Sequence, residues 1–246
     1  MAVAWPNGAS AVGVTTRTLQ RKLKSDQTSL RELITAVRID VAREIGAPRI
    51  TNCPLNDGID YAFELDFARA YDTAAECYAE IADHDPSFPI CIEYKISEPR
   101  VRSLLGNAGE TAAFCQIVNR DNLGVTLDVG HALFANENAS QSAALLAKAR
   151  RLFYVHLNDN DGRADWDLLP GAVHPWELIE FLWTLKRLGY DDWMTFDIVP
   201  KEADPVEFFA TAEAFDFRNI DVQKRVWVDK DHGRLETRRA VWVADV

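Results

Sequence analysis

The chain has no run of about 18 apolar residues, the length a helix needs to cross a bilayer, and its opening MAVAWPNGAS lacks the basic-then-apolar layout of a secretory leader. These two absences make a cytoplasmic protein the expectation. Positive charge is also scarce: 27 Lys and Arg stand against 38 Asp and Glu, a formal net charge of −11. Such a surface repels phosphate backbones and anionic headgroups, so neither nucleic acid nor membrane is an expected partner. Cysteine is limited to Cys53, Cys77, Cys91 and Cys115, with no CxxC pair, and their apolar surroundings point to buried free thiols rather than a zinc or redox motif. A glycine-rich phosphate loop is missing too, which favours unphosphorylated small molecules over phosphorylated ones.

What is present is enough chain, 246 residues of which 48% are hydrophobic, for one sizeable core of the size of a (β/α) barrel. Short β-branched runs alternate with longer amphipathic ones, the rhythm of strand-helix units on a parallel sheet. It predicts strands at 11–16, 49–53, 89–95, 124–129, 152–158 and 193–199, with helices at about 28–45, 64–83, 98–119, 138–150, 174–188 and 203–215. Gly46 and Gly189 read as helix C-caps, and Pro99, Pro175 and Pro205 as first-turn residues. The rhythm stops near Phe217. From Arg218 onward seven Lys and Arg face five Asp and Glu, and two VWV runs flank Asp231-His232-Gly233 as a hairpin or an exposed tail would. Two regions are therefore expected, a partial barrel over 1–216 and an atypical tail over 217–246.

Catalytic groups of a (β/α) barrel stand at the C-terminal ends of its strands. Four predicted strands interrupt an apolar run with an ionisable residue near that end: Glu93 in CIEYK, Asp128 in VTLDV, His156 in FYVHL and Asp197 in MTFDI. Each has a bland alternative. Asp128 can cap the next turn, Asp197 can serve the Val199-Pro200 bend, and Glu93 can pair with Lys95 or Arg100. Charge inside a barrel is costly unless paired or metal-bound, so four such interruptions together point to a divalent cation. Three carboxylates and an imidazole suit Mn²⁺ first, with Mg²⁺, Co²⁺ or Zn²⁺ as alternatives.

A second set lies close by in sequence. His131 follows Asp128 by one turn, and Asp165 and Asp167 sit on the loop after His156, where they can hold a second ion that shares Glu93. Asp159 and Asp161 compete for that role, and Asp165 with Asp167 can equally form a solvated turn before Pro170-Gly171. Lys95 can polarise a substrate oxygen or balance Glu93. His174 reads as a helix N-terminal residue, and His84 and His232 as exposed loop residues.

In the stretches IEYKISEPR, GVTLDVGHAL with the following ENASQS, YVHLNDN, DWDLLPG and WMTFDIVP, the chain resembles the xylose isomerase-like TIM-barrel superfamily, and within it the bacterial L-rhamnose isomerase-related sugar isomerases. The resemblance runs from about Val12 to Pro205. It implies Glu93, Asp128, His156 and Asp197 as the first metal site, His131, Asp165 and Asp167 as ligands of a second ion, and Lys95 beside the reacting carbons. The related ketose 3-epimerases carry glutamate where this chain has Asp197, which leans toward an isomerase. The chain enters the family pattern at its third strand, so an incomplete barrel of six visible strands is expected, and its open edges leave a homo-oligomer open.

These residues imply an enzyme that interconverts an aldose and a ketose by moving hydrogen between adjacent carbons. The alternatives are a 3-epimerase working through an enediolate, with Glu93 and Asp197 as acid-base partners, and an inactive truncated remnant. A metal-dependent nuclease on the same barrel fits the acidic charge less well.

Overall fold

The structure is a computed structural model that describes residues 38–54, 62–98 and 101–199. The predicted strand at 11–16, the helix at 203–215, Pro99, Pro205, His232 and the tail 217–246 lie outside the described residues. Among those described, five parallel strands form a curled half-barrel: β1 (Ile50–Asn52), β2 (Ile90–Glu93), β5 (Leu123–Asp128), β6 (Leu152–Leu157) and β7 (Met194–Phe196). They pair in that order, each parallel to the next. Sequential neighbours joined by crossover helices are what the alternating pattern demands.

The helices are α1 (Phe67–His84), α2 (Ala108–Val118), α3 (Val129–Phe134), α4 (Ala139–Lys148) and α5 (Pro175–Leu188), with residues 38–44 helical before β1. Their starts are written in side chains that occupy otherwise unpaired first-turn amides. Asp66, Asn107 and Asn138 accept from the amides of Arg69, Glu110 and Gln141 at 3.1, 2.8 and 2.9 Å. Pro175 opens α5 and Gly189 closes it in the left-handed region, with the Tyr190 amide returning to the Leu185 carbonyl. One expectation changes: the helix predicted over 98–119 begins at Ala108. Before it, Ser97–Glu98 (β3) pairs antiparallel with Val101–Arg102 (β4), and the Asn107 cap, reinforced by Glu110 returning to the Gly106 amide at 3.0 Å, sets the true start.

Strand alternation gives the sheet two unlike faces. On the helix side, Ile90, Ile92 and Tyr94, then Leu123, Val125 and Leu127, then Val155, Leu157, Met194 and Phe196 join one apolar core with Phe114, Phe181, Leu182 and Leu185 of the helices. Full burial of each large side chain contributes about 1.5–3 kcal/mol.

The concave face is polar. Thr51 and Thr126 share a hydroxyl hydrogen bond of 2.6 Å, and Tyr154 and Thr195 share another. Arg49 donates to Asp192 at 2.6 Å and to the Phe153 carbonyl, with its guanidinium 4.8 Å from the Tyr154 ring centre. Between β5 and β6 the register slips, Val125 facing Leu152 and Thr126 facing Tyr154, so Phe153 is an extra residue. Its ring lies against Gly124, where any Cβ would collide with it.

Cys91 and Cys115 are buried and Cys53 and Cys77 half-buried, and none of the four is in a disulfide among the described residues. His84 ends α1 exposed. No helix among the described residues is long and apolar enough to cross a membrane.

Candidate metal centre

Parallel pairing aligns the strand ends, so residues far apart in sequence meet at one rim. Glu93 closes β2, Asp128 closes β5, His156 is the penultimate residue of β6 and Asp197 follows β7 directly. One ligand atom from each of the four lies within 4.8 Å of all the others. Two ligands on opposite sides of one ion at about 2.0–2.6 Å stand about 4–5 Å apart, so the spacing suits a shared divalent cation. His156 Nδ1 faces inward, 3.0 Å from Glu93 Oε1, 3.3 Å from Asp197 Oδ2 and 3.9 Å from Asp128 Oδ2.

Asp128 is fully buried and does two jobs. It caps α3, its Oδ1 accepting from the His131 amide at 2.7 Å, while Oδ2 accepts from Asn158 Nδ2 at 3.1 Å. The bland expectation of a cap is thus met by the same side chain that faces the cluster. Burial, with the charges of Glu93 and Asp197, pushes its carboxyl up to about 7, against the pull of His131 and His156. Burial disfavours the His156 cation, yet Glu93 and Asp197 outweigh it and raise this imidazole well above its ordinary range. Asp197 is held low against its burial by the hydrogen bond and charge of His156. Three crowded carboxylates around one imidazole, with a second imidazole alongside, gather negative charge that a bound cation would balance.

The second set gathers beside the first. His131 Nε2 lies 3.1 Å and Lys95 Nζ 2.9 Å from Asp165 Oδ2, while His131 Nδ1 lies 3.7 Å from Glu93 Oε1. Burial opposes the Asp165 charge, but the hydrogen bond and charge of His131, with Lys95, drive its carboxyl well below the usual range. Asp167 is raised to about 7 by burial and by the charges of Asp165 and Asp197. Its backbone is left-handed, φ 50°, in the turn that brings both carboxylates back to the rim. Lys95 therefore finds Asp165, a partner the sequence reading did not assign to it.

The competitors are otherwise engaged. Asp161 is exposed and accepts from Trp166 Nε1 at 2.8 Å. Asp159 is buried and accepts from the amides of Val173 and His174 and from His174 Nδ1 at 2.8–2.9 Å. His174 caps α5 by position, and its ring fastens this loop.

Do these residues fit a divalent ion? His131 Nδ1 and Asp165 Oδ1 are buried without a hydrogen-bond partner, and both belong to the set beside the four-residue cluster. Unpaired buried donor atoms among hard oxygen ligands fit a cation. Two residues that sequence reading passed over also shape the site. Asn158 accepts from the Gly130 amide at 2.6 Å as well as donating to Asp128, and Asn160 Nδ2 donates to the Gly130 carbonyl at 2.7 Å. The signal for Asn158 was its place two residues after His156, on the same strand face.

Residues 21–214 match the family described as xylose isomerase-like TIM barrel. Over 156 residues the chain is 28% identical to uncharacterised protein MJ1311 of Methanocaldococcus jannaschii, a match covering 56% of this chain and 53% of the other. The chain thus spans about half the length of the curated relative it matches. A D-tagatose 3-epimerase-like protein has a similar fold, with TM-score 0.58, 20% identity, and coverage of 84% of this chain and 71% of that one. So has the IOLI protein, solved with a bound zinc atom, at TM-score 0.58 and 18% identity over 76% of this chain and 68% of its own. The 3-keto-D-glucoside 4-epimerase of E. coli follows at TM-score 0.57 and 15% identity over 75% and 67%.

Proposed function

Since the chain belongs to the xylose isomerase-like TIM barrel family, we propose that it is a metal-dependent isomerase that interconverts an unphosphorylated aldose and its ketose. The observation that carries this is the adjoining second set: His131, Asp165 and Lys95 stand next to the four-residue cluster, with His131 Nδ1 3.7 Å from Glu93 Oε1. Adjacent cation positions match a substrate that offers two neighbouring oxygens, the hydroxyl and carbonyl of an open-chain sugar.

Glu93, Asp128, His156 and Asp197 would hold the first ion. His131, Asp165 and Asp167 would hold the second, with Glu93 shared. Divalent cations held by these residues, with Mn²⁺ the best match to the hard oxygen donors, would supply positive charge beside both substrate oxygens. Lys95 donates to the carbonyl oxygen and favours the charge that gathers on it. In the forward direction hydrogen leaves C2 with its electron pair and joins C1, while the O2 proton passes to O1; no external reductant is needed. The polar concave face below the rim keeps the sugar's remaining hydroxyls hydrogen-bonded.

The test is turnover of an aldopentose and aldohexose panel by Mn²⁺-loaded protein in deuterated water. Retention of the substrate hydrogen is expected. Extensive deuterium at the reacting carbon transfers the assignment to enediolate chemistry of the epimerase kind, with Glu93 and Asp197 as acid-base partners. His131→Ala should keep one ion bound while turnover falls about 10²–10³-fold, the scale of losing one charge-stabilising group.

A further inference from the structure

Asn158, Asp159 and Asn160 leave β6 as three consecutive polar residues, each no more than 1% exposed. None is a ligand in the arrangement above, yet all their side chains are engaged. Asn158 bridges Asp128 Oδ2 and the Gly130 amide, and Asn160 holds the Gly130 carbonyl and, through Oδ1, the Gly162 amide at 2.8 Å. Asp159 reaches forward to Val173 and His174, and its backbone pairs with Leu168 in both directions at 3.0 Å. The approach to Gly130 is so close that a Cβ there would lie 2.5 Å from Asn158 Oδ1 and 3.0 Å from Asn160 Nδ2.

We propose that this buried triplet is a positioning device that fixes the spacing between the two cation positions. Asn158 and Asn160 clamp the first turn of α3, which carries Asp128 at its cap and His131 three residues on. Asp159 ties down the far end of the loop that carries Asp165 and Asp167. One rigid segment thereby holds both halves of the second set against the first. The proposal rests on the two-ion reading, and it treats the triplet as groups that act through ligands and never touch substrate.

The test is Mn²⁺ titration of the full chain by calorimetry, with spin coupling between bound ions read by electron paramagnetic resonance. The parent protein should bind two ions that couple. Asn160→Ala should weaken the second ion about tenfold or more and reduce the coupling, while the first ion changes less than about threefold; outer-shell partners of metal ligands typically contribute 10–100-fold. Asn158→Ala should weaken both ions, and if that variant does not fold, Asn160→Ala and Asp159→Asn carry the test. Two coupled ions bound with parental affinity in folded Asn160→Ala, or a lowered melting temperature alone, overturn the positioning role and leave the two-ion reading standing. A parent protein that binds only one ion overturns both, and is told apart by failing before any substitution is made.

Discussion

The two faces of the half-barrel differ in kind. Against the helices, Ile92, Val125, Val155 and Phe196 are closed into an apolar core without a polar side chain on those strand positions. On the concave face, alternate residues of the same strands are Cys91, Glu93, Thr126, Asp128, Tyr154 and His156, set among hydroxyl bonds, a half-buried Arg49–Asp192 pair and a rim of ionisable groups. A period of two therefore divides labour within single strands: one set of alternate residues supplies folding free energy and the other spends part of it on arranged charge. Substitutions on the two faces should consequently be read by different instruments.

The largest contrast comes from Asp128→Asn, which keeps the shape and the α3 cap but removes one charge. Ion binding at the first position should be lost, and activity should fall to about a thousandth or less, since several kcal/mol of charge stabilisation go with it; calorimetry and turnover measure this. Metal-free Asp128→Asn should melt lower than the parent, because both carboxylate oxygens accept hydrogen bonds and an amide nitrogen in place of one of them meets a buried N–H donor. Phe196→Ala, one residue from Asp197 but on the opposite face, should do the reverse: about 3–5 kcal/mol lost in urea unfolding, with Mn²⁺ affinity of the folded fraction kept. If Phe196→Ala abolishes ion binding while still folded, the two faces are not separable. Gly124→Ala tests the lower concave layer, and should lose about 1–3 kcal/mol by crowding Phe153 without altering ion stoichiometry.

The smallest expected effect is a drift with pH. The His131 imidazole is raised to about 10, with burial opposing and Asp128 and Asp165 prevailing, so the stability it contributes is full below its ordinary value near 6.5 and is lost as pH rises toward 10. Asp128, raised to about 7, works in the same direction between about 4 and 7. Metal-free protein should therefore melt lower as pH rises, by about 2–4 °C for each kcal/mol in a chain of this length. Mn²⁺ competes with those protons, so its stabilising shift should widen over the same range. A shift that narrows with rising pH would place the ion elsewhere.

Much of this division was legible in the sequence. Glu93, Asp128, His156 and Asp197 stood out because each breaks an apolar run at the same point of a strand-helix unit, and parallel register then aligns those points. Choosing Asp165 and Asp167 over Asp159 and Asp161 was not possible from spacing, since four acids on one loop look alike until the Asp159 grip on Val173 and His174 folds the loop back. Asn160 was hidden because a neutral amide interrupts nothing in a loop, and Asn158, two residues after His156 on the same face, carries no charge to mark it. The β3–β4 pair before α2 was invisible for another reason: strands of two residues carry no period.

The extra residue at Phe153 acts as a phase adjuster for β6. Upstream of it, Leu152 faces Val125; downstream, Tyr154 and His156 return to the concave side in step with Thr126 and Asp128. A one-residue insertion or deletion before the bulge can be absorbed there, so drift at the strand's start is insulated from the rim. The same change between Tyr154 and His156 would turn the imidazole into the apolar core. The chain entering β6 up to Leu152 is thus uncoupled from the register of the rim, and Tyr154 to Leu157 are not.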